Sequence, residues 1–133
     1  MVRFVLAVAL LLGGVPAAAQ PVDELVGLWR NRSNSVHIEL YACGSAPCAR
    51  VAWASPTATA KAARRGTNTL VGTELFRGFR RDREGRWAGR VFVPDLAVTL
   101  RATFQLDGSD TLVGRGCLLG RVGCRTKTYT RIR

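Results

Sequence analysis

Leu96-Ala97-Val98-Thr99-Leu100-Arg101-Ala102-Thr103-Phe104-Gln105-Leu106-Asp107-Gly108-Ser109-Asp110 carries the strongest alternation in the chain. Leu96, Val98, Leu100, Ala102, Phe104 and Leu106 fall on one face. The other face is mostly Thr, Arg and Gln. Successive strand side chains point to opposite faces, so this period of two predicts a long, half-buried antiparallel strand. The residues from Asp107 to Asp110 have the composition of a hairpin turn.

The same pattern spreads outward from this strand. On the C-terminal side, residues 111–117 return and residues 125–132 make a closing strand. On the N-terminal side, residues 86–93 place Trp87, Gly89, Val91 and Val93 on one face, ending at a Pro94-Asp95 corner. Residues 70–79 read as a strand containing Gly72 and Gly78, followed by a charged turn over 80–85. Val36, Ile38 and Leu40 alternate with His37, Glu39 and Tyr41, and Val51 and Trp53 share a face of the return strand over 49–54. Gly27 to Arg30 starts the first strand, after one helical turn over 21–26. Residues 55–68 form the only long irregular stretch, expected to be a mobile loop or a short helix capping one barrel end.

About eight strands joined mostly by short turns, with almost no helix, predict an all-β fold. Consecutive hairpins favour an up-and-down meander, and closing it into a barrel removes the exposed edges. An open sandwich is the alternative.

The N-terminus reads as an export signal over residues 1–19. Arg3 precedes an apolar run over 4–15, and Pro16 precedes Ala17-Ala18-Ala19, a small-residue cleavage site. The run is short for a membrane span and contains Gly13, Gly14 and Pro16. Residues 20–133 are then a single domain, soluble and periplasmic or secreted. Cys43, Cys48, Cys117 and Cys124 make an even count, which in an exported chain suggests disulfides. Three connectivities exist. The local pairs, 43 with 48 and 117 with 124, are favoured because each flanks a turn between strand-like runs.

The chain has 20 Lys and Arg against 9 Asp and Glu, for a net charge of +11. Only Lys61 and Lys127 are lysines. Guanidinium groups pair bidentately with phosphate and carboxylate, so anionic lipid or an acidic polymer is a fitting partner. Export argues against nucleic acid. Arg77, Arg80, Arg81, Arg83, Arg86 and Arg90 form the densest basic region. They read either as a guanidinium ring at a barrel mouth or as a solvated hairpin tip whose charges blunt edge pairing.

A barrel of this kind has an interior to line. Ile38, Leu40, Val51, Trp53, Trp87, Val98, Leu100 and Phe104 are its expected apolar lining, suited to a small apolar or amphipathic ligand. At this chain length side chains can also fill the interior completely, which would leave a polyanion-binding or protein-interaction module. His37 is the only histidine, and no nucleophile elbow or phosphate loop is present. The residues therefore predict no enzyme, no metal and no cofactor.

Several short pieces, taken in order, resemble a known family. They are Gly27-Leu28-Trp29, Tyr41-x-Cys43 with Cys48-x-x-Val51-x-Trp53, Leu70-Val71-Gly72 and Gly78-Phe79. Then come Trp87-x-Gly89-x-Val91-Phe92-x-Pro94, Leu112-x-x-Arg115-Gly116-Cys117-Leu118 and Cys124-Arg125-Thr126-x-Thr128-Tyr129-Thr130-Arg131. The chain resembles the bacterial exported domain-of-unknown-function family 2147. That resemblance implies a small lipocalin-like or streptavidin-like barrel and no agreed activity. Gly27, Trp29 and Arg131 look like the barrel-closing set of lipocalin-like folds, with the arginine stacked on the indole.

Overall fold

The computed structural model describes residues 13–14 and 21–133. Apart from Gly13 and Gly14, the expected export signal lies outside the described residues. After a 3-10 turn at Val22–Glu24 come strands β1 (Gly27–Asn31), β2 (Val36–Cys43) and β3 (Ala46–Ala54), helix α1 (Pro56–Arg64), then β4 (Phe76–Arg81), β5 (Trp87–Val93), β6 (Val98–Asp107), β7 (Thr111–Leu119) and β8 (Val122–Arg131). Each strand pairs antiparallel with its neighbour in the chain, except β3 with β4, and β1 pairs with β8. The meander therefore curls until its first and last strands meet.

The remaining gap, between β3 and β4, is stitched by the segment before β4. Val51 N–H donates to Thr73 O at 3.0 Å, Gly72 N–H to Val51 O at 2.8 Å and Leu75 N–H to Ala49 O at 2.8 Å. The barrel is thus nearly closed. Residues 70–75 were expected to be strand, but Gly72 has φ +90° and the chain turns there. Regular pairing with β5 starts only at Phe76.

Residues 55–68 contain a helix. Ser55 Oγ accepts from Ala58 N–H at 3.1 Å, Pro56 fills the first turn, and alanines follow. Ala62 is buried in the core cluster, so α1 seats on the barrel.

The two barrel ends differ. At one end lie the β2–β3, β4–β5 and β6–β7 turns with both ends of the described barrel chain. Here Trp29 and Leu25 are fully buried, and Trp29 Nε1 donates to Leu25 O at 3.0 Å. Arg131 lies over the Trp29 ring at 4.2 Å. Its Nη1 donates to Val26 O and its Nε to Ser109 O, both at 2.9 Å, and Nη2 reaches Glu24 O. One guanidinium therefore ties the 3-10 turn, β8 and the β6–β7 turn together. Trp29 and Arg131 thus meet beside Gly27, where β1 and β8 pair.

Two cross-strand disulfides complete the frame. Cys43–Cys48 spans the β2–β3 turn and Cys117–Cys124 joins directly opposed residues of β7 and β8. This is the local connectivity. Among the described residues no helix is long and apolar enough to cross a membrane.

Candidate functional site

The interior is solid near the closed end. Trp29, Leu40, Val51, Phe79, Trp87, Phe104 and Leu112 are all buried there, and Phe76, Phe79 and Phe104 stack with ring centroids 4.4–5.0 Å apart. Of the expected lining residues, Ile38, Leu40, Val51, Trp87 and Phe104 are core. Val98 and Leu100 share the inward face of β6 with Phe104, but they are only half-buried.

Trp53 is a correction. It is 43% exposed and stands outside the barrel, its ring 4.6 Å from that of His37. The cause is a bulge: His37 pairs with Trp53, but Ile38 pairs with Val51, leaving Ala52 as an extra residue. One inserted residue reverses the alternation, so Ala54 rather than Trp53 packs on the core. Trp53→Ala should therefore cost only about 1 kcal/mol, the worth of a surface cross-strand pair. A urea-midpoint shift equivalent to about 3 kcal/mol or more would put the indole back inside.

Toward the other end the inner wall opens. Val91, Val98, Leu100, Ala102, Gly114 and Gly116 are half-buried rather than buried. The wall is recessed because it is built from small residues; a Cβ on Gly116 would only just touch Leu100, at 3.5 Å. On β8, Tyr129 packs against the core, and an unbroken register with β7 puts Lys127 and Arg125 on the same inward face, opposite Gly114 and Gly116. Both cations are exposed, and neither has an acidic partner among the described residues.

Two interior polar groups lack partners. Trp87 Nε1 is buried with no hydrogen bond, and the Tyr129 hydroxyl bonds to no described residue. Burial pushes the Tyr129 phenol up and the Asp95 carboxylate adds to it, so the hydroxyl stays a neutral donor. Trp87 Nε1 is sealed in the closed-end core, so the open end offers a half-open apolar wall, the spare Tyr129 donor and two cations, which can hold the head of an anionic amphiphile. Arg125 and Lys127 were absent from the expected site, although the two-residue spacing 125, 127, 129 from an inward tyrosine marks them.

The basic cluster is not a ring at a mouth. Arg77 and Arg90 are opposed on the outer wall, with Arg80 beside them. Arg81 lies instead over the Trp87 ring at 4.3 Å and donates to Gly85 O at 3.1 Å. Arg86 is held by Asp82 at 2.9 Å and Glu84 at 3.1 Å, and Arg83 sits in the turn at the closed end. Register adds two arginines from distant sequence: Arg101 opposes Arg90, and Arg115 lies one strand further on, opposite Thr103. Arg77, Arg90 and Arg101 thus stand side by side, a like-charge row that costs stability in a sheet.

His37 gives no catalytic geometry. Its Nε2 lies 2.7 Å from Asn34 Oδ1 on the outer face, and Glu39 is paired with Arg50 at 2.9 Å. Among the described residues no three His, Cys, Asp or Glu side chains gather as they would around a metal.

Two disulfides belong to an oxidising compartment outside the cytoplasm. No curated protein matches the sequence. Among solved structures the barrel is similar to protein HP1028 from the human pathogen Helicobacter pylori, which is described as belonging to the lipocalin family. That match has a TM-score of 0.60 at 10% identity, over 82% of this chain and 83% of that one, and at such identity it speaks for the fold alone. The family model described as an uncharacterised protein conserved in bacteria, DUF2147, matches residues 27–131, nearly the whole barrel. With its lipocalin-like barrel, this chain belongs to the DUF2147 family.

Proposed function

We propose that this protein is a binder, not an enzyme, that holds a small amphipathic molecule with an acidic head in the periplasm. The carrying observation is the half-buried inner wall of β5–β8 beside two cations with no ion-pair partner among the described residues. Apolar residues Val91, Val98 and Leu100 would take a short apolar tail, and Lys127 and Arg125 the head. The solid core beneath limits the depth, so the tail is short or only partly enclosed. Lipocalin-like barrels give this use of an open end a structural precedent, and the Tyr129 phenol donor supports a polar contact at the base.

Laurate titrated against the protein, followed by tryptophan fluorescence, is expected to bind saturably. The uncharged analogue dodecanol should bind more weakly, and Arg125→Glu with Lys127→Glu should weaken laurate by tenfold or more, about 1.4 kcal/mol. Laurate binding equally to wild type and double variant would remove the site from this end of the barrel. Native mass spectrometry of protein purified from its own envelope gives the ligand directly if one copurifies.

A further inference from the structure

The β7–β8 hairpin reaches beyond its neighbours. β8 pairs with β1 only from Tyr129 to Arg131, and β7 pairs with β6 only up to Cys117. The projecting tip carries Leu118, Leu119 and Val122 at 58%, 76% and 70% exposure, with Arg121 between them in the turn. Leu96, half-exposed in the adjoining β5–β6 turn, is at the same barrel end. Cys117–Cys124 braces the hairpin just below its tip. Three large apolar side chains held in water on a disulfide-braced tip are a feature that core packing does not explain.

The outer wall below the tip supplies the charge. One groove is lined by Arg90, Thr99 and Arg101 together with Leu118 and Leu119. A second, beside it, is lined by Arg86, Arg90, Arg101 and Arg115. Of these arginines only Arg86 has an acidic partner among the described residues. Cations and leucines sharing one concavity fit a molecule whose phosphate and hydrocarbon are adjacent. A soluble polyphosphate would use the arginines and leave the leucines in water; a flat apolar protein surface would not match the like-charge row.

We infer that the β7–β8 tip is a membrane anchor: it inserts Leu118, Leu119 and Val122 into the interfacial region of an anionic bilayer while Arg90, Arg101 and Arg115 bind lipid phosphates. Insertion is shallow, as for amphipathic segments that lie within about 5–10 Å of the headgroup boundary. Docked this way, the open end of the barrel faces the lipid. The inference stands apart from the ligand reading, since it uses the tip and the outer wall rather than Arg125 and Lys127.

Cosedimentation of the exported protein with vesicles tests it. Vesicles of equal phosphatidylglycerol and phosphatidylcholine are expected to bind, and pure phosphatidylcholine vesicles to bind at least tenfold more weakly. Leu118→Ser, Leu119→Ser and Val122→Ser combined should reduce partitioning tenfold or more. Arg90→Gln, Arg101→Gln and Arg115→Gln combined should do the same, at roughly a fivefold loss per arginine. Unchanged thermal melting of both variants keeps the comparison about binding. Wild-type affinity retained by the serine variant would overturn the anchor, as would equal binding to neutral vesicles or no binding to either. Soluble polyphosphate that binds wild type and serine variant alike, where vesicles bind neither, would replace the lipid with a free polyanion.

Discussion

Trp29→Ala is expected to destabilise the protein by about 3–5 kcal/mol, the range for removing a large buried aromatic. The indole is fully buried, and three separate interactions meet on it. Its ring fills the closed end, its N–H satisfies Leu25 O at 3.0 Å, and its face carries the Arg131 guanidinium at 4.2 Å. Truncation leaves a cavity and an unsatisfied carbonyl, and it removes a cation–π contact worth about 0.5–2 kcal/mol. Net stability of a small domain is only about 5–15 kcal/mol, so this one change removes a large part of it. Urea denaturation measures the loss. Trp29→Phe should recover most of the packing and little of the hydrogen bond, and therefore fall between. A loss below about 1 kcal/mol for the alanine variant would mean that the closed end is held by something else.

Gly89→Ala is expected to cost about 1–3 kcal/mol, although it adds a single methyl group. β4 carries a bulge at Gly78, where φ is +61°, and the two residues Gly78 and Phe79 together face Gly89 on β5. The Phe79 ring is thereby laid directly over Gly89. A Cβ there would stand 2.8 Å from the ring and 2.9 Å from the Phe79 Cα. Because one contact is backbone, rotating the side chain cannot relieve it. Phe79→Leu added to Gly89→Ala should therefore fail to restore stability, as a double-mutant cycle would show. By contrast, Gly114→Ala meets nothing nearer than 3.9 Å and should be nearly neutral. Equal melting temperatures for Gly89→Ala and wild type would refute the close approach.

The barrel was legible because most of its information is local. Val98, Leu100, Ala102, Phe104 and Leu106 alternate as strand residues must, and their inward side is the one expected. Leu96 was counted with them but lies in the turn, where Ala97 takes φ +53° and ends the alternation. The site was less legible because it depends on register. The side on which Trp53 emerges is decided by an extra residue opposite β2, which no pattern within residues 49–54 reveals. Arg101 and Arg115 join Arg77 and Arg90 only once β4 to β7 are aligned, since the residues flanking them in sequence, Leu100 and Ala102, Gly114 and Gly116, include no other cation. Arg81, in the middle of the densest basic run, leaves that group because the Gly78 bulge turns it over Trp87.

The seam between β1 and β8 also bears on the order of assembly. Every other strand pairing joins chain neighbours or nearly so, while Arg131 reaches carbonyls 105 and 107 residues away. Hairpins can form quickly by local encounter, whereas a contact of that span must wait for the intervening chain to be arranged. Interactions made last are absent from the transition state, and their loss accelerates unfolding without slowing folding. The instability of Trp29→Ala is therefore expected on the unfolding limb of the kinetics, making the Trp29–Arg131 stack a latch that sets how long the native barrel survives rather than how fast it forms.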